Sequence, residues 1–338
     1  MSAAVPHPKR PASGGHATKA GHRVGDAVTA TRIAVVRKSS AIELLAGHPD
    51  TQLAHAVRDG MPMAQRVVSA HAEHVSSLAE VERVLQQRRL AYRVTTRLTH
   101  RLAQWADLIV TVGGDGTFLS ASHGVGSHDD SDGPPMLGIN SAPSSSIGYF
   151  CAADALGFAR IMDDIAAGHT HSRPLWRMIV AVNGVPLADL ALNDVLLAHR
   201  VPAETSRYEL QCAGRAQDQK SSGLWIATAA GSTAAIRSAG GAVLPIESRN
   251  LQYRVRELMT WAVRGEPLQG GMFADTLAVV SRVQTGALYI DGGHCKVNFG
   301  FGDRIAFAPS LRPLCWIAPP SFDERRAAIV AGKEVVPT

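Results

Sequence analysis

The run Leu108-Ile109-Val110-Thr111-Val112-Gly113-Gly114-Asp115-Gly116-Thr117-Phe118-Leu119 constrains this chain more than any other segment. Its apolar, β-branched start reads as a buried strand, and the strand runs straight into glycines. Gly113, Gly114 and Gly116 are expected to let the backbone take φ > 0 and let phosphate oxygens approach main-chain N–H groups. Thr117 is placed to cap a following helix, whose N-terminus favours an anion. Asp115 stands out, because a bare carboxylate repels phosphate unless it binds Mg²⁺ or accepts a proton from a hydroxyl nucleophile. The segment therefore points to phosphoryl transfer. A tight Gly-Asp-Gly turn without chemistry is the competing reading of those three residues alone. There is no G-x-x-x-x-G-K-[ST] run, which argues against a P-loop, and Leu119 stands where G-x-G-x-x-G needs its last glycine.

Composition sets the frame for such a loop. A chain of 338 residues is long enough for about two domains. Hydrophobic content of 46% and charged content of 19% suit a soluble globular protein, and no stretch is long and apolar enough to span a membrane. The net charge is +5, but Lys9, Arg10, Lys19 and Arg23 precede the first acid, Asp26. The remaining excess calls for anionic small molecules, with no nucleic acid and no membrane as partners. Cys151, Cys212, Cys295 and Cys315 form no C-x-x-C, so neither a zinc site nor a disulfide framework is expected, and a reducing cytoplasm fits. Residues 1–30 lack an apolar signal segment and read as a disordered tail. Asp129, Asp130 and Asp132 crowd one loop, but it lacks the Glu of an EF-hand and reads as solvated.

Further along, Thr31 to Val36, Ala91 to Thr95, Asp107 to Val112 and Met136 to Asn140 read as strands, with helices over about 63–90 and 154–167. Strands alternating with helices imply a parallel sheet, which binds ligands beyond its carboxyl edge. After about residue 170 the rhythm changes. Trp176 to Val182 leads to Asn183-Gly184, a type I′ hairpin signal, and short strands follow near 190–198, 208–212, 224–227, 276–280, 287–290 and 304–307. The expected fold class is α/β plus all-β: an α/β phosphate-binding domain over 31–155, joined by 316–338, and a mostly β substrate-binding domain over 156–315.

Three more constellations carry polar chemistry. Leu137-Gly138-Ile139-Asn140 ends a strand on a residue that can contact a ribose or base, or merely make a turn. Leu192-Asn193-Asp194-Val195 sets two polar side chains inside an apolar strand pattern, so they need partners: ribose hydroxyls or amides, or a bulge satisfied by backbone. Ser221-Ser222-Gly223 opens a strand that ends in Gly231-Ser232-Thr233, with Ser238-Ala239-Gly240-Gly241 after it. That run suits a second phosphate-bearing ligand or a plain capped helix.

In this order, Gly113-Gly114-Asp115-Gly116-Thr117, Leu137-Gly138-Ile139-Asn140, Asn193-Asp194 and Gly231-Ser232-Thr233 with Ser238 to Gly241 resemble the NAD kinase family. Asp291-Gly292 and Gly302-Asp303 also look like its pattern. The resemblance spans roughly residues 105–315. The Gly-Gly-Asp-Gly-Thr element alone is shared with diacylglycerol and sphingosine kinases. The resemblance implies a β-sandwich second domain, a homodimer or homotetramer, and transfer of a phosphoryl group from ATP or polyphosphate, with Mg²⁺ or another divalent metal, to the 2′-hydroxyl of the adenosine ribose of NAD. It makes Asp115 the general base or metal-linked carboxylate and gives Gly113, Gly114, Gly116 and Thr117 the phosphate. Asn193 and Asp194 would bind NAD, and Asn140, Ser222, Gly231, Ser232, Thr233 and Ser238 complete the expected ligand set.

The chain departs from the family at three points. Asn193-Asp194 replaces a common Asn-Glu. Ser222 replaces an Asp that often reaches a neighbouring subunit's substrate. Ala235 replaces a Tyr. Lys220-Ser221-Ser222-Gly223 looks nearer the mitochondrial-type branch. The alternatives are a lipid or polyol kinase of the same superfamily, and a non-catalytic nucleotide sensor, which the missing aromatic and Asp favour.

Overall fold

The computed structural model describes residues 22–126, 133–293 and 295–332. The expected tail through residue 21 and the acidic loop at 127–132 lie outside the described residues. The described chain forms two units: one runs to residue 173 and resumes at Cys315, and the other is Pro174–Leu314.

The first unit is α/β. Its elements are β1 (Arg32–Arg37), α1 (Ala41–Leu45), α2 (Gln52–Arg58), α3 (Gln65–Gln87), β2 (Ala91–Thr95), α4 (His100–Trp105), β3 (Leu108–Gly113), α5 (Asp115–Ser122), β4 (Met136–Asn140), β5 (Cys151–Asp154) and α6 (Phe158–Ala166). The strands are parallel in the order β2-β1-β3-β4-β5. β3 and β4 are buried along their whole length, which is why their sequences are continuous apolar runs and not alternating ones. Val110, Val112, Leu137 and Ile139 pack with Val81 and Leu85 of α3 and with Phe158, Met162 and Ile165 of α6.

That packing corrects two expected boundaries. The α/β unit extends to Arg173 and does not stop at 155, because α6 buries Phe158, Met162 and Ile165 in the same core. Residues 22–30 are not a disordered tail. Val28 is buried in that core, its N–H donates to Thr170 O at 2.9 Å, and Gly25 N–H donates to Ser172 O at 3.2 Å. Burial of Val28, worth about 1.5–3 kcal/mol, and the two backbone hydrogen bonds together offset part of the entropy of ordering the segment.

The second unit holds β6 (Arg173–Val182), β7 (Val185–Pro186), β8 (Asp194–His199), β9 (Ser206–Cys212), β10 (Arg215–Ser221), β11 (Gly223–Ala227), α7 (Ala235–Ser238), β12 (Leu251–Arg256), β13 (Gly270–Phe273), β14 (Leu277–Ser281), β15 (Gly286–Ile290), β16 (Cys295–Phe299) and β17 (Arg304–Trp316). One antiparallel sheet runs β13-β12-β11-β8-β15-β16, and a second layer runs β10-β9-β14-β17 with β6 beside β17. Val195, Leu197 and Ile226 of the first meet Tyr208, Leu210, Val279 and Phe307 of the second in one core, so the unit is a β-sandwich. Asn183 and Gly184 both take positive φ, +53° and +81°, as a type I′ hairpin demands. The chain then returns to the α/β unit, where Trp316 pairs beside Met136 and α8 (Phe322–Val330) sets Phe322 edge-on to Trp316, centroids 4.7 Å apart. Among the described residues no helix is long and apolar enough to cross a membrane.

Candidate functional site

The expected site residues form two groups, one in each unit. In the α/β unit, strand register sets Gly113 at the end of β3 directly beside Asn140 at the end of β4. The first two motifs therefore converge at the carboxyl edge of the sheet.

The reason for the glycines differs from the expected one. None of Gly113, Gly114 and Gly116 has a positive φ. Gly113 is needed for space, because a Cβ there would run into the Thr117 side chain. A Cβ on Gly114 would meet Ser146 Oγ at 2.7 Å. Gly114, extended at φ −106° and ψ −166°, is the cap residue of α5, and Thr117 is not. Thr117 lies inside the first turn, folded back over Gly113. The amides of Asp115 and Gly116 have no carbonyl four residues back to bond, as at every helix start, so an anion can take them.

Asp115 opens α5 and is half-buried. Its carboxylate accepts from Phe150 N–H at 2.9 Å. Burial pushes its pKa up, while the Phe150 and Tyr149 amides and the Arg325 guanidinium pull it back in part. The Phe150 amide is itself held in place: its ring stacks on Phe118 at 5.1 Å, and its carbonyl accepts from the Trp316 indole at 3.0 Å. Arg325, on α8, also donates to Ile147 O at 3.2 Å. Nearby, the Cys151 thiol is buried and its pKa is driven far up, so it is inert. Asn140 is fully buried and bonds within its own loop, donating to Ser146 O at 3.0 Å and accepting from Ala142 N–H at 3.3 Å. It shapes the loop that borders Gly114.

In the β-sandwich unit, the polar pair Asn193-Asp194 is organised by a residue the sequence left without a role. Asp291, buried and held at φ +51°, accepts from Leu192, Asn193 and Asp194 N–H at 2.8, 2.6 and 3.1 Å. Its own N–H donates to Asp194 O at 2.9 Å. The Asp194 carboxyl is buried with Asn193 Nδ2 at 3.4 Å, and burial, then the Asp291 charge, push its pKa up to about 7. The Asn193 carbonyl accepts from Thr228 N–H at 3.0 Å and presses on Gly231, where any Cβ would collide with it. The third and fourth motifs thus meet through backbone. Ser232 is buried and structural, donating to Ala229 O at 2.7 Å and accepting from Leu244 N–H at 3.0 Å. Thr233 is half-buried, and Ser238 and Ala235 are exposed. Ser222 is not gathered with them. It precedes β11, whose far residue, Ala227, is the one paired with Asp194. At ~3.3 Å per residue that is roughly 13 Å or more along the strand.

Arg325 and Asp291 escaped the sequence reading as site residues. Arg325 sits in the charged run Asp323-Glu324-Arg325-Arg326, which carries no motif, and Asp291-Gly292 enters only as part of the family's pattern, with no role of its own.

Comparison with known proteins fits these two groups. A family model described as the ATP-NAD kinase N-terminal domain matches residues 34–169. A probable NADH kinase of Oryza sativa subsp. japonica is 36% identical over 236 residues, covering 63% of this chain and 71% of the rice protein. The NADH kinase of Arabidopsis thaliana is 33% identical over 257 residues, 69% of this chain and 79% of that protein. An NAD kinase of Acinetobacter baylyi is 36% identical over 234 residues, 68% and 73% of the two chains. The crystal structure of an NAD kinase from Archaeoglobus fulgidus in complex with ATP superposes with TM-score 0.62 at 20% identity, covering 90% of this chain and all of that one. Yeast NADH kinase complexed with NADH gives 0.63 at 15% identity, covering 90% and 88%. At such identities the two structures speak for the fold, and the sequence relatives speak for descent: the chain belongs to the NAD kinase family.

Proposed function

We propose that the protein transfers the γ-phosphoryl group of ATP to the 2′-hydroxyl of the adenosine ribose of NAD or NADH. The observation that carries this reading is Asp115, a half-buried carboxylate of raised pKa at the head of α5, directly after a glycine loop. A ribose hydroxyl is a weak nucleophile, and a positioned carboxylate accepts its proton as the new O–P bond forms and ADP departs. Arg325 favours the ionised form that this step needs. The first-turn amides of α5 take the phosphate charge. Asn193 and Asp194 hold the dinucleotide, whose ribose hydroxyls donate to the Asp194 carboxylate.

A divalent ion fits the donor set here. Asp115 offers one carboxylate, and Mg²⁺ takes one or two carboxylates and fills its shell with substrate phosphates and water. Bound to Asp115, such an ion would supply charge neutralisation on the donor phosphates. Ser222, set apart from Asp194 within one chain, serves the substrate of a neighbouring copy in a homodimer or homotetramer.

Purified protein mixed with Mg-ATP and either NAD or NADH tests the reaction. The expected product is NADP or NADPH, read with an NADP-specific dehydrogenase. Tight dinucleotide binding with no phosphorylated product from either form would leave a nucleotide sensor instead.

A further inference from the structure

A cleft of about 330 Å³ opens beside the glycine loop. Its polar walls are Lys38 and Ser39, which follow β1, Arg66 and His71 from the start of α3, and Ser145 from the loop after β4. Small apolar side chains, Ala41, Val67 and Ala70, form its floor. No carboxylate is among its lining residues. Of the nearby acids, Glu43 is held by Arg37 at 2.7 Å and by Ser40 N–H at 2.8 Å, and Glu73 takes the Ser144 hydroxyl and attracts Lys38.

The cationic groups have independent reasons to want an anion. Burial pulls the Lys38 pKa down, more than Glu73 restores it, so its charge is partly desolvated. The Ser40 hydroxyl already accepts from Glu43 N–H at 3.2 Å and meets His71 Nδ1 at 2.7 Å. Donating its one proton to Nδ1 leaves His71 Nε2–H as the donor available to the cleft. The first turn of α3 carries no acid, so no carboxylate on it offsets Arg66 where Arg66 and Val67 line the cleft.

The cleft also abuts the glycine loop. Lys38 N–H donates to Val112 O at 3.0 Å, one residue before Gly113. Ser145 lines the cleft, and the next residue, Ser146, is the one a Cβ on Gly114 would strike. A chain of phosphates with one end on the α5 amides therefore has a basic channel to continue into. At this volume, near the lower end for small-ligand pockets, the cleft suits such a chain better than a whole nucleotide.

We infer that Lys38, Arg66 and His71 form the subsite that holds the oligophosphate chain of the phosphoryl donor. This rests on the reading of the protein as a kinase. Charge-assisted contacts to phosphate by a lysine and an arginine make it an oligoanion site with little preference for the base attached.

The test uses inorganic tripolyphosphate as the probe, titrated calorimetrically into the full chain and into the Lys38→Met/Arg66→Met double variant. Both residues lie partly or wholly at the surface, so the variant is expected to melt with the wild type. Wild type should bind, and the variant should bind at least about tenfold more weakly. In turnover, the variant's KM for ATP should rise by a similar factor while KM for NAD stays within about twofold. Equal tripolyphosphate affinity in the two proteins, or an unchanged KM for ATP, would overturn the subsite and leave the kinase reading standing. Binding that depends on Lys38 and Arg66 in a protein that makes no NADP or NADPH would uphold the subsite and remove the kinase reading.

Discussion

The proposed reaction rests on two carboxylates, Asp115 and Asp194, whose surroundings differ. Asp115 is raised by burial and moderated by two amides and Arg325, which makes it a better proton acceptor than an exposed carboxylate. Asp194 is raised further, to about 7, because burial is reinforced by the neighbouring Asp291. The sign of its effect on stability follows from linkage. A carboxyl whose folded pKa lies above the unfolded value of 3.8 costs nothing at lower pH and destabilises progressively as pH rises from there to about 7. Asp194→Asn should therefore melt with the wild type near pH 4 and above it at pH 8, by on the order of 1 kcal/mol or more. The same variant tests the binding role. The wild-type KM for NAD should fall between pH 6 and 8 as Asp194 ionises, and the variant's should be higher and flat. A wild-type KM that ignores pH in that range would remove Asp194 from the dinucleotide contacts.

At the scale of elements, the glycines act by close approach. Gly231 lets the turn after β11 rest on the Asn193 carbonyl, so Gly231→Ala must move backbone and should cost roughly 1–3 kcal/mol in thermal unfolding. A methyl group at Gly116 would meet nothing within 4 Å, so Gly116→Ala should leave melting unchanged. If its surroundings receive phosphate, that variant should still raise KM for ATP severalfold. The two alanines thus separate folding from binding. The strand, loop and helix at 108–122 were legible in the sequence because a buried parallel strand is a continuous apolar run, and the Asn183-Gly184 hairpin because its backbone demands those residues. β10, Arg-Ala-Gln-Asp-Gln-Lys-Ser, was not legible, since an edge strand with water on one face carries no apolar signal. Nor was the cause of the Gly113 requirement. It depends on where Thr117 lies once α5 has formed, which no local pattern states. Arg325 and Asp291 reach their partners only through the tertiary fold, one from α8 and the other from the turn after β15.

At the scale of the whole molecule, each unit has its own core and its own group of proposed site residues. The proposed phosphate site, Asp115 with the basic cleft, lies in the α/β unit. The dinucleotide motifs belong to the β-sandwich, tied together by Asp291 and the Asn193 carbonyl. The family fold accounts for that division, and the chain's own substitutions, Asp194, Ser222 and Ala235, all fall in the sandwich. The chemistry therefore stands or falls with Asp115. The most direct measurement is kcat for NADP or NADPH formation by wild type and Asp115→Asn, at saturating Mg-ATP and dinucleotide, with thermal melts of both. The expected result is turnover by the wild type and a loss of about 10²–10⁴-fold in the variant at unchanged melting temperature. A variant that keeps near-wild-type kcat would contradict the assignment of Asp115 as the base.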